Sequence, residues 1–268
     1  MMKKIFYILV LLALFINISC EKLIDVNLND VEKIIVIDAA VNNVNSDSYI
    51  SLSYTSNYFD NTETERISGA DIVVEDEDGN EIVFTEDSLG KYLNTDFKTK
   101  KNSNYRLKVN IEGEDFIAES RCPTIVKLDS IKLFEDDFNF GDEKRYKINC
   151  YFQDPPGEKN YYRFRVFSNG VEKPGYIVVN DIFWDGMKVN FPLNNIRAAD
   201  GADFRVDLQS VNEEVYDYYY TLSRIVGRRE DITPGNPISN IKGNAIGLFN
   251  PHGLSSKRFT FKTTYVNN

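Results

Sequence analysis

Three sets of side chains in this sequence could do chemistry: the cysteine at position 20, the only histidine, and two closely spaced aspartates. Cys20 follows a basic start (MMKK), an apolar run over residues 5–18 and Ser19. This order is typical of a secretory signal peptide, and the apolar run is shorter than the roughly 20 residues of a helical membrane span. The pattern therefore predicts that residues 1–19 are removed and that the Cys20 thiol is acylated, as in bacterial lipoproteins. The alternatives are an N-terminal anchor or an ordinary signal peptide with a chance cysteine.

His252 is the only imidazole in the chain. A histidine-centred triad would have to use it, and no G-x-S-x-G nucleophile motif accompanies it. Zinc is disfavoured because one histidine and two cysteines beyond Cys20 do not make a four-ligand set. We therefore interpret Asn250-Pro251-His252-Gly253 as a polar turn, and we predict no metal and no cofactor.

Asp181 and Asp185 flank an Ile-Phe-Trp segment that contains the only tryptophan, Trp184. A glycosidase places two carboxylates about 5 Å or about 6.5–9.5 Å apart across a sugar. A spacing of four residues in a β-rich region does not establish that geometry, and Asp185-Gly186 favours the corner of a turn. The acidic segment from Asp76 to Asn80 lacks the ligand spacing of an EF-hand and favours a hairpin turn around Asp78-Gly79. We predict no catalytic residue.

Aromatic side chains are the remaining candidates for binding. Four tyrosines crowd one predicted helix at positions 216, 218, 219 and 220, so they cannot all face the core. We expect Tyr216, Tyr218 and Tyr220, together with Trp184, to contact a ligand or a protein partner. The alternative is that these rings pack the helix against a sheet.

The chain has 268 residues and a net charge of −10. No run of Lys or Arg stands free of acids, which argues against nucleic acid as a partner. Cys122 and Cys150 could form a disulfide in an exported protein, or could be two buried thiols, and the sequence leaves both open.

The elements that must position these residues are mostly strands. Short alternating segments separated by Gly, Asn and Asp turns predict a mainly β protein. We expect a lipidated tether over residues 20–33, an immunoglobulin-like β-sandwich module over 34–122 and a second β-rich module over 123–268. Tyr105 would suit the tyrosine corner of such a sandwich. The second module would carry one helix, about 210–228, opened by a capping box from Ser210 to Glu213, and would end in a strand over 258–266.

The chain carries a set of motifs that are weak singly: the mature start CEKLIDV at Cys20, Asp154-Pro155 with the NYYR segment at 160–163, the D-x-x-x-D-G turn at 181–186, the tyrosine-rich helix and the segment 240–249. As a set they resemble the Bacteroidota lipoprotein family called "domain of unknown function 4249". The resemblance implies an outer-membrane lipoprotein that accompanies a TonB-dependent transporter. It implies no catalytic residues.

Our leading hypothesis is therefore a non-enzymatic outer-membrane lipoprotein, lipid-anchored and facing the cell surface or the periplasm. It would capture nutrient for a TonB-dependent transporter, with the ligand unknown. A second hypothesis is a surface adhesion or protein-interaction module with no transport role. A third is a surface hydrolase that uses Asp181 and Asp185. Fold alone does not decide among these.

Overall fold

The computed structural model describes residues 33–44, 48–56, 64–135, 146–197, 201–227 and 237–262. The predicted signal peptide, Cys20 and nearly all of the tether lie outside these residues. The strands of the first half are β1 (Ile35–Asn42), β2 (Tyr49–Tyr54), β3 (Asp71–Asp76), β4 (Glu81–Ser88), β5 (Lys91–Leu93), β6 (Ser103–Ile111) and β7 (Glu114–Cys122). The remaining elements are β8 (Leu128–Glu135), β9 (Tyr146–Gln153), β10 (Tyr161–Ser168), β11 (Val171–Glu172), β12 (Ile177–Asn180), β13 (Lys188–Ile196), β14 (Asp203–Val211), helix α1 (Glu213–Gly227), β15 (Ile241–Lys242) and β16 (Ala245–Thr260).

The strands form two hydrogen-bonded sheets. The larger sheet follows the order β11-β10-β14-β16-β1-β2-β5-β4-β3-β6-β7-β15, with β12 also paired to β10, and the smaller sheet is β13-β9-β8. One core cluster lies between β1 and β2 on one side and β3, β6 and β7 on the other. A second cluster lies between the smaller sheet and strands β10 and β14. The prediction of a mainly β protein with sandwich packing is confirmed.

The two core clusters divide near Pro123, where we placed a module boundary. Val126 and Leu128 already belong to the second cluster, while Cys122 belongs to the first. Ile241 and Phe249, however, come from late in the chain and pack in the first cluster. The larger sheet also runs through both halves.

Local turn chemistry explains two of the early elements. The Asp76 side chain accepts hydrogen bonds from the backbone N–H groups of Asp78 and Asn80, and Gly79 supplies a positive φ, so β3 and β4 form the predicted hairpin. The Tyr105 hydroxyl accepts a 2.7 Å hydrogen bond from the N–H of Lys100, upstream of its strand. This is the backbone contact that a tyrosine corner makes.

Cys122 and Cys150 are both buried free thiols, so the disulfide alternative does not apply. They belong to different core clusters. Burial raises the pKa of the Cys122 thiol to about 11 and that of Cys150 to about 12, which keeps both protonated and unreactive at neutral pH.

Helix α1 begins later than the predicted capping box. Ser210 lies in strand β14, where its hydroxyl accepts a hydrogen bond from the N–H of Val126. Asn212 is the N-cap instead, because its side-chain oxygen accepts the N–H of Val215 at 2.9 Å. The Ser-to-Glu capping box was therefore wrong, although the helix itself is present. The Ser210 hydroxyl, which a capping box would have used, already accepts the N–H of Val126.

The predicted turn at Asn250–Gly253 was also wrong, because this segment lies in the middle of the 16-residue strand β16. The first half of β16 pairs in parallel with β1, and from Gly253 onward β16 pairs antiparallel with β14. On the edge away from β1, the N–H and C=O of Phe249 bond to the Asn240 side chain. Pro251 lies two residues further, so its missing N–H falls on that same edge, where none of the described strands pairs with it. Proline therefore breaks no ladder here. The predicted last strand, residues 258–266, begins within β16, which finishes at Thr260, and residues 263–266 lie outside the described residues.

His252 is consequently buried, with 1% of its surface exposed. Its Nδ1 lies 3.1 Å from the Asn250 carbonyl, so Nδ1–H donates there and Nε2 accepts from the Gln209 amide at 2.9 Å. Gln209 in turn accepts a hydrogen bond from Arg163. Burial lowers the pKa of His252 to about 3, helped by the charges of Arg163 and Arg165, so the ring stays neutral.

This burial predicts a pH signature that one NMR experiment can check. Because the chain has a single histidine, its imidazole C–H resonance can be followed without assignment. It should not titrate between about pH 5 and 8 in the folded protein, whereas in urea it should titrate near pH ~6.5. The unfolded state takes up this proton first, so stability from His252 is complete above about pH 6.5 and declines as the pH falls toward 3. A folded-state titration near pH 6.5 would contradict the buried strand position.

Candidate functional site

Two turns that are far apart in the sequence meet beside the β9–β13 pair. The first, residues 154–157, follows β9, and the second, residues 181–187, follows β12 and is called here the 181–187 loop. Asp154 opens the first turn and donates its backbone N–H to the Met187 carbonyl. Within the loop, two successive turns form because Trp184 bonds back to Asp181 and Met187 bonds back to Trp184.

Three aspartates hold these turns together by reciprocal hydrogen bonds. Asp154 accepts the N–H of Gly186 at 2.9 Å, and Asp185 accepts the N–H of Gly157 at 2.7 Å. Asp181 accepts the N–H of Asn160 at 2.8 Å. Asp154 and Asp185 thus each bond to a backbone donor of the other turn, and Asp181 adds a bond to the residue before β10. We call Asp154, Asp181 and Asp185 the three-aspartate clamp.

Asp154 is the innermost member of the clamp. It is fully buried, and its second carboxylate oxygen accepts the Tyr162 hydroxyl at 2.5 Å. The pKa of the Asp154 carboxyl is raised, because the effect of burial outweighs the hydrogen bonds from Tyr162 and Gly186, which lower it. Gly186 has a positive φ and lies against Pro156, where an added Cβ would come within 2.9 Å. The backbone of the loop is therefore closely specified.

The clamp also bears on the hydrolase hypothesis. Carboxylate oxygens of the three aspartates lie within 4.8 Å of one another, so they could in principle share a hard cation. Each of them already accepts a backbone N–H, however, and Asp181 and Asp185 lie in a loop of two successive turns, as the turn interpretation predicted. Asp154 was not predictable as their partner, because nothing in the D-P-P-G turn shows which segment it meets.

The 181–187 loop, which the clamp holds, exposes apolar side chains to solvent. Ile182 is 72% exposed, Phe183 is 88% exposed and Met187 is 56% exposed. Trp184, between them, is half-buried, and its ring packs edge-on against Phe191 at 6.1 Å. Trp184 therefore anchors the loop to the second core cluster, while its neighbours point outward.

The tyrosines of helix α1 divide in the same way. Tyr216 stacks on Tyr220 and contacts Tyr161, whose strand partner Asn180 directly precedes the 181–187 loop. Tyr220 is 45% exposed. Tyr218 is half-buried and meets the buried Tyr219 edge-on. Of the candidate binding residues, Tyr216 thus lies near the start of the loop, with Tyr220 stacked on it.

The clamp predicts an unequal cost for removing its members. Asp154→Ala would leave the Gly186 N–H and the Tyr162 hydroxyl without their buried acceptor, so we expect a loss of roughly 2–4 kcal/mol in the free energy of unfolding. Asp185→Ala removes one exposed hydrogen bond and should cost about 1 kcal/mol or less. Urea denaturation measures both, and hydrogen exchange should show faster exchange of the Gly186 amide in Asp154→Ala.

The clamp is tested by whether Asp154→Ala loses more free energy of unfolding than Asp185→Ala. Equal destabilisation by the two variants, or an unchanged Gly186 exchange rate in Asp154→Ala, would contradict the clamp. Tyr162→Phe serves as the intermediate case, because it removes one donor and leaves the Gly186 contact in place.

Comparison with known proteins gives one family and a distant structural likeness. No curated protein matches the sequence. One solved structure that matches is a two-fibronectin-type-III-domain segment from chicken tenascin, at 14% identity and a TM-score of 0.19, covering 67% of this chain and 91% of that one. Among the described residues, no helix has the length and apolar character of a membrane span. The family model described as a domain of unknown function (DUF4249) matches residues 21–253, and the chain therefore belongs to that family.

Proposed function

We propose that this protein is a non-enzymatic, lipid-anchored accessory of the outer membrane that docks on a TonB-dependent transporter and assists nutrient uptake. The observation that supports docking is the 181–187 loop, which exposes Ile182, Phe183 and Met187 while its backbone is held by the three-aspartate clamp. Anchoring rests on the signal peptide and on Cys20, which lie outside the described residues.

A rigid, apolar loop has the physical properties of a protein-docking element. Water contact of a fully exposed phenylalanine is unfavourable, so burying Phe183 against a partner would be favourable by roughly 1.5–3 kcal/mol. Because the clamp already orders the backbone, little further loop entropy is lost on binding. The exposed ring of Tyr220 extends the surface with a side chain type that is enriched at interface hot spots.

The main alternative is a surface adhesion or interaction module with no transport role. The same loop would serve it, since the exposed side chains specify an apolar partner surface and not its identity. The two functions differ in the protein that is recovered with the chain, and the test below is built on that difference.

The docking proposal predicts that one side chain governs recovery of the transporter. The tagged full-length protein would be purified from detergent-solubilised outer membranes, and co-purifying proteins quantified by mass spectrometry. We expect a TonB-dependent transporter in near-stoichiometric yield, and we expect Phe183→Ser to lower that yield at least about tenfold because a central aromatic anchor is lost.

Leu89→Ser is the matched control, because Leu89 is 67% exposed on a different turn and should leave recovery unchanged. Cys20→Ser checks the anchor and should move the protein out of the outer-membrane fraction. Recovery of the protein without any transporter would overturn the uptake role. Equal loss in the Phe183 and Leu89 variants would remove the loop as the docking element.

A further inference from the structure

The face of the larger sheet that turns away from the second core cluster is polar. Along β10, Phe164 and Val166 enter that cluster, so the alternate residues Arg163, Arg165 and Phe167 lie on the opposite face. On β14 and β16 this face carries charged and polar residues such as Arg205, Asp207, Ser256 and Arg258.

Helix α1 covers only one end of this face. There the Arg163 guanidinium lies 3.8 Å from the ring centre of Tyr219, and the Tyr219 side chain is buried. The other end opens into a pocket of about 460 Å³ between the β2–β5 edge and strands β10, β14 and β16. A pocket of this size falls in the range used for small molecules.

The pocket is cationic although the protein as a whole carries −10. Among the described residues, four cations line it, Lys91, Arg165, Arg205 and Arg258, against a single lining carboxylate, Asp203. These cations come from four different strands, so no basic run in the sequence reveals them. A field of one sign focused in a concave site attracts small ions of the opposite sign.

The two inner arginines are held in place. Glu172 accepts from two nitrogens of Arg165, at 2.9 and 2.6 Å, and Arg205 lies 3.3 Å from Asp207. Phe167 lies between them, with its ring centre 3.9 Å from the Arg205 guanidinium and 4.8 Å from that of Arg165. Aromatic and carboxylate contacts together fix a planar guanidinium, which is the preorganised donor for carboxylate and phosphate oxygens.

The two outer cations supply the charge that these carboxylates do not neutralise. Lys91 and Arg258 are exposed at the pocket, and neither forms an ion pair with any residue in the part of the chain that the structure describes. We propose that this pocket binds a small anion carrying two or more carboxylate or phosphate groups, with Arg205 and Arg258 as the principal contacts and Lys91 at the rim. The inference goes beyond docking on a transporter and needs no partner protein.

Direct binding to the purified full-length protein in detergent tests this site. Isothermal titration calorimetry with citrate and, separately, with inorganic pyrophosphate would give the affinity of each anion. We expect saturable binding of at least one, and the preferred anion identifies the chemistry. Arg258→Gln and Lys91→Gln should each weaken binding about tenfold, since each removes a charged donor, while Arg258→Lys should weaken it less.

Lys188→Gln is the matched control, because it makes the same change in net charge on an exposed strand residue of the smaller sheet and should bind like the parent. Thermal unfolding would confirm that the variants fold. Absence of binding of both anions at millimolar concentration, or equal affinity in the Arg258→Gln and Lys188→Gln variants, would overturn the proposal. Neither outcome depends on whether a transporter is recovered with the protein.

Discussion

The parallel pairing of β1 with β16 is the constraint on which the rest of the structure depends. One strand from the start of the described chain and one from its end lie side by side, and β16 continues into antiparallel pairing with β14. The same strand thus borders both core clusters. The two strands can approach this closely because residue 247 is a glycine. An added Cβ at Gly247 would lie 1.9 Å from the Ile37 carbonyl oxygen. A single long strand therefore joins two sandwich cores that separate modules would have kept apart.

This arrangement positions both candidate sites. On one side of β10, Tyr162 reaches Asp154 and fixes the inner end of the three-aspartate clamp, which presents the 181–187 loop. On the other side, Arg165 enters the cationic pocket. Because successive side chains of a β-strand point to opposite faces, Tyr162 and Arg165 of β10 contribute to different sites. The 181–187 loop and the cationic pocket therefore depend on opposite sides of β10, and the two proposed sites share no residue.

Local chemistry made much of the fold predictable. Alternating apolar residues located most strands, and the hairpin at Asp76 and the tyrosine corner at Tyr105 follow from contacts within a few residues. Long-range pairing was not predictable. Asn250–Gly253 has the composition of a turn, yet pairing with β1 up to His252 and with β14 from Gly253 keeps it extended. Of the three-aspartate clamp, Asp181 and Asp185 were recognised as a pair because they are four residues apart. Asp154 was not, because only the fold brings it next to them. The pocket was missed because its cations lie far apart in the sequence.

Unfolding of Gly247→Ala, followed at the other end of the molecule, tests the central role of β16 most directly. Trp184 is the only tryptophan and packs with the second core cluster, so its fluorescence reports on the half that Gly247 does not line. Gly175→Ala is the control, because its φ of +123° resembles the +139° of Gly247 but an added Cβ would meet nothing within 4 Å. We predict that Gly247→Ala lowers the urea midpoints seen by fluorescence and by circular dichroism together. The free energy of unfolding should fall by at least about 3 kcal/mol more than in the control. A fluorescence midpoint unchanged from the parent would show that the second core stands without the β1–β16 pair.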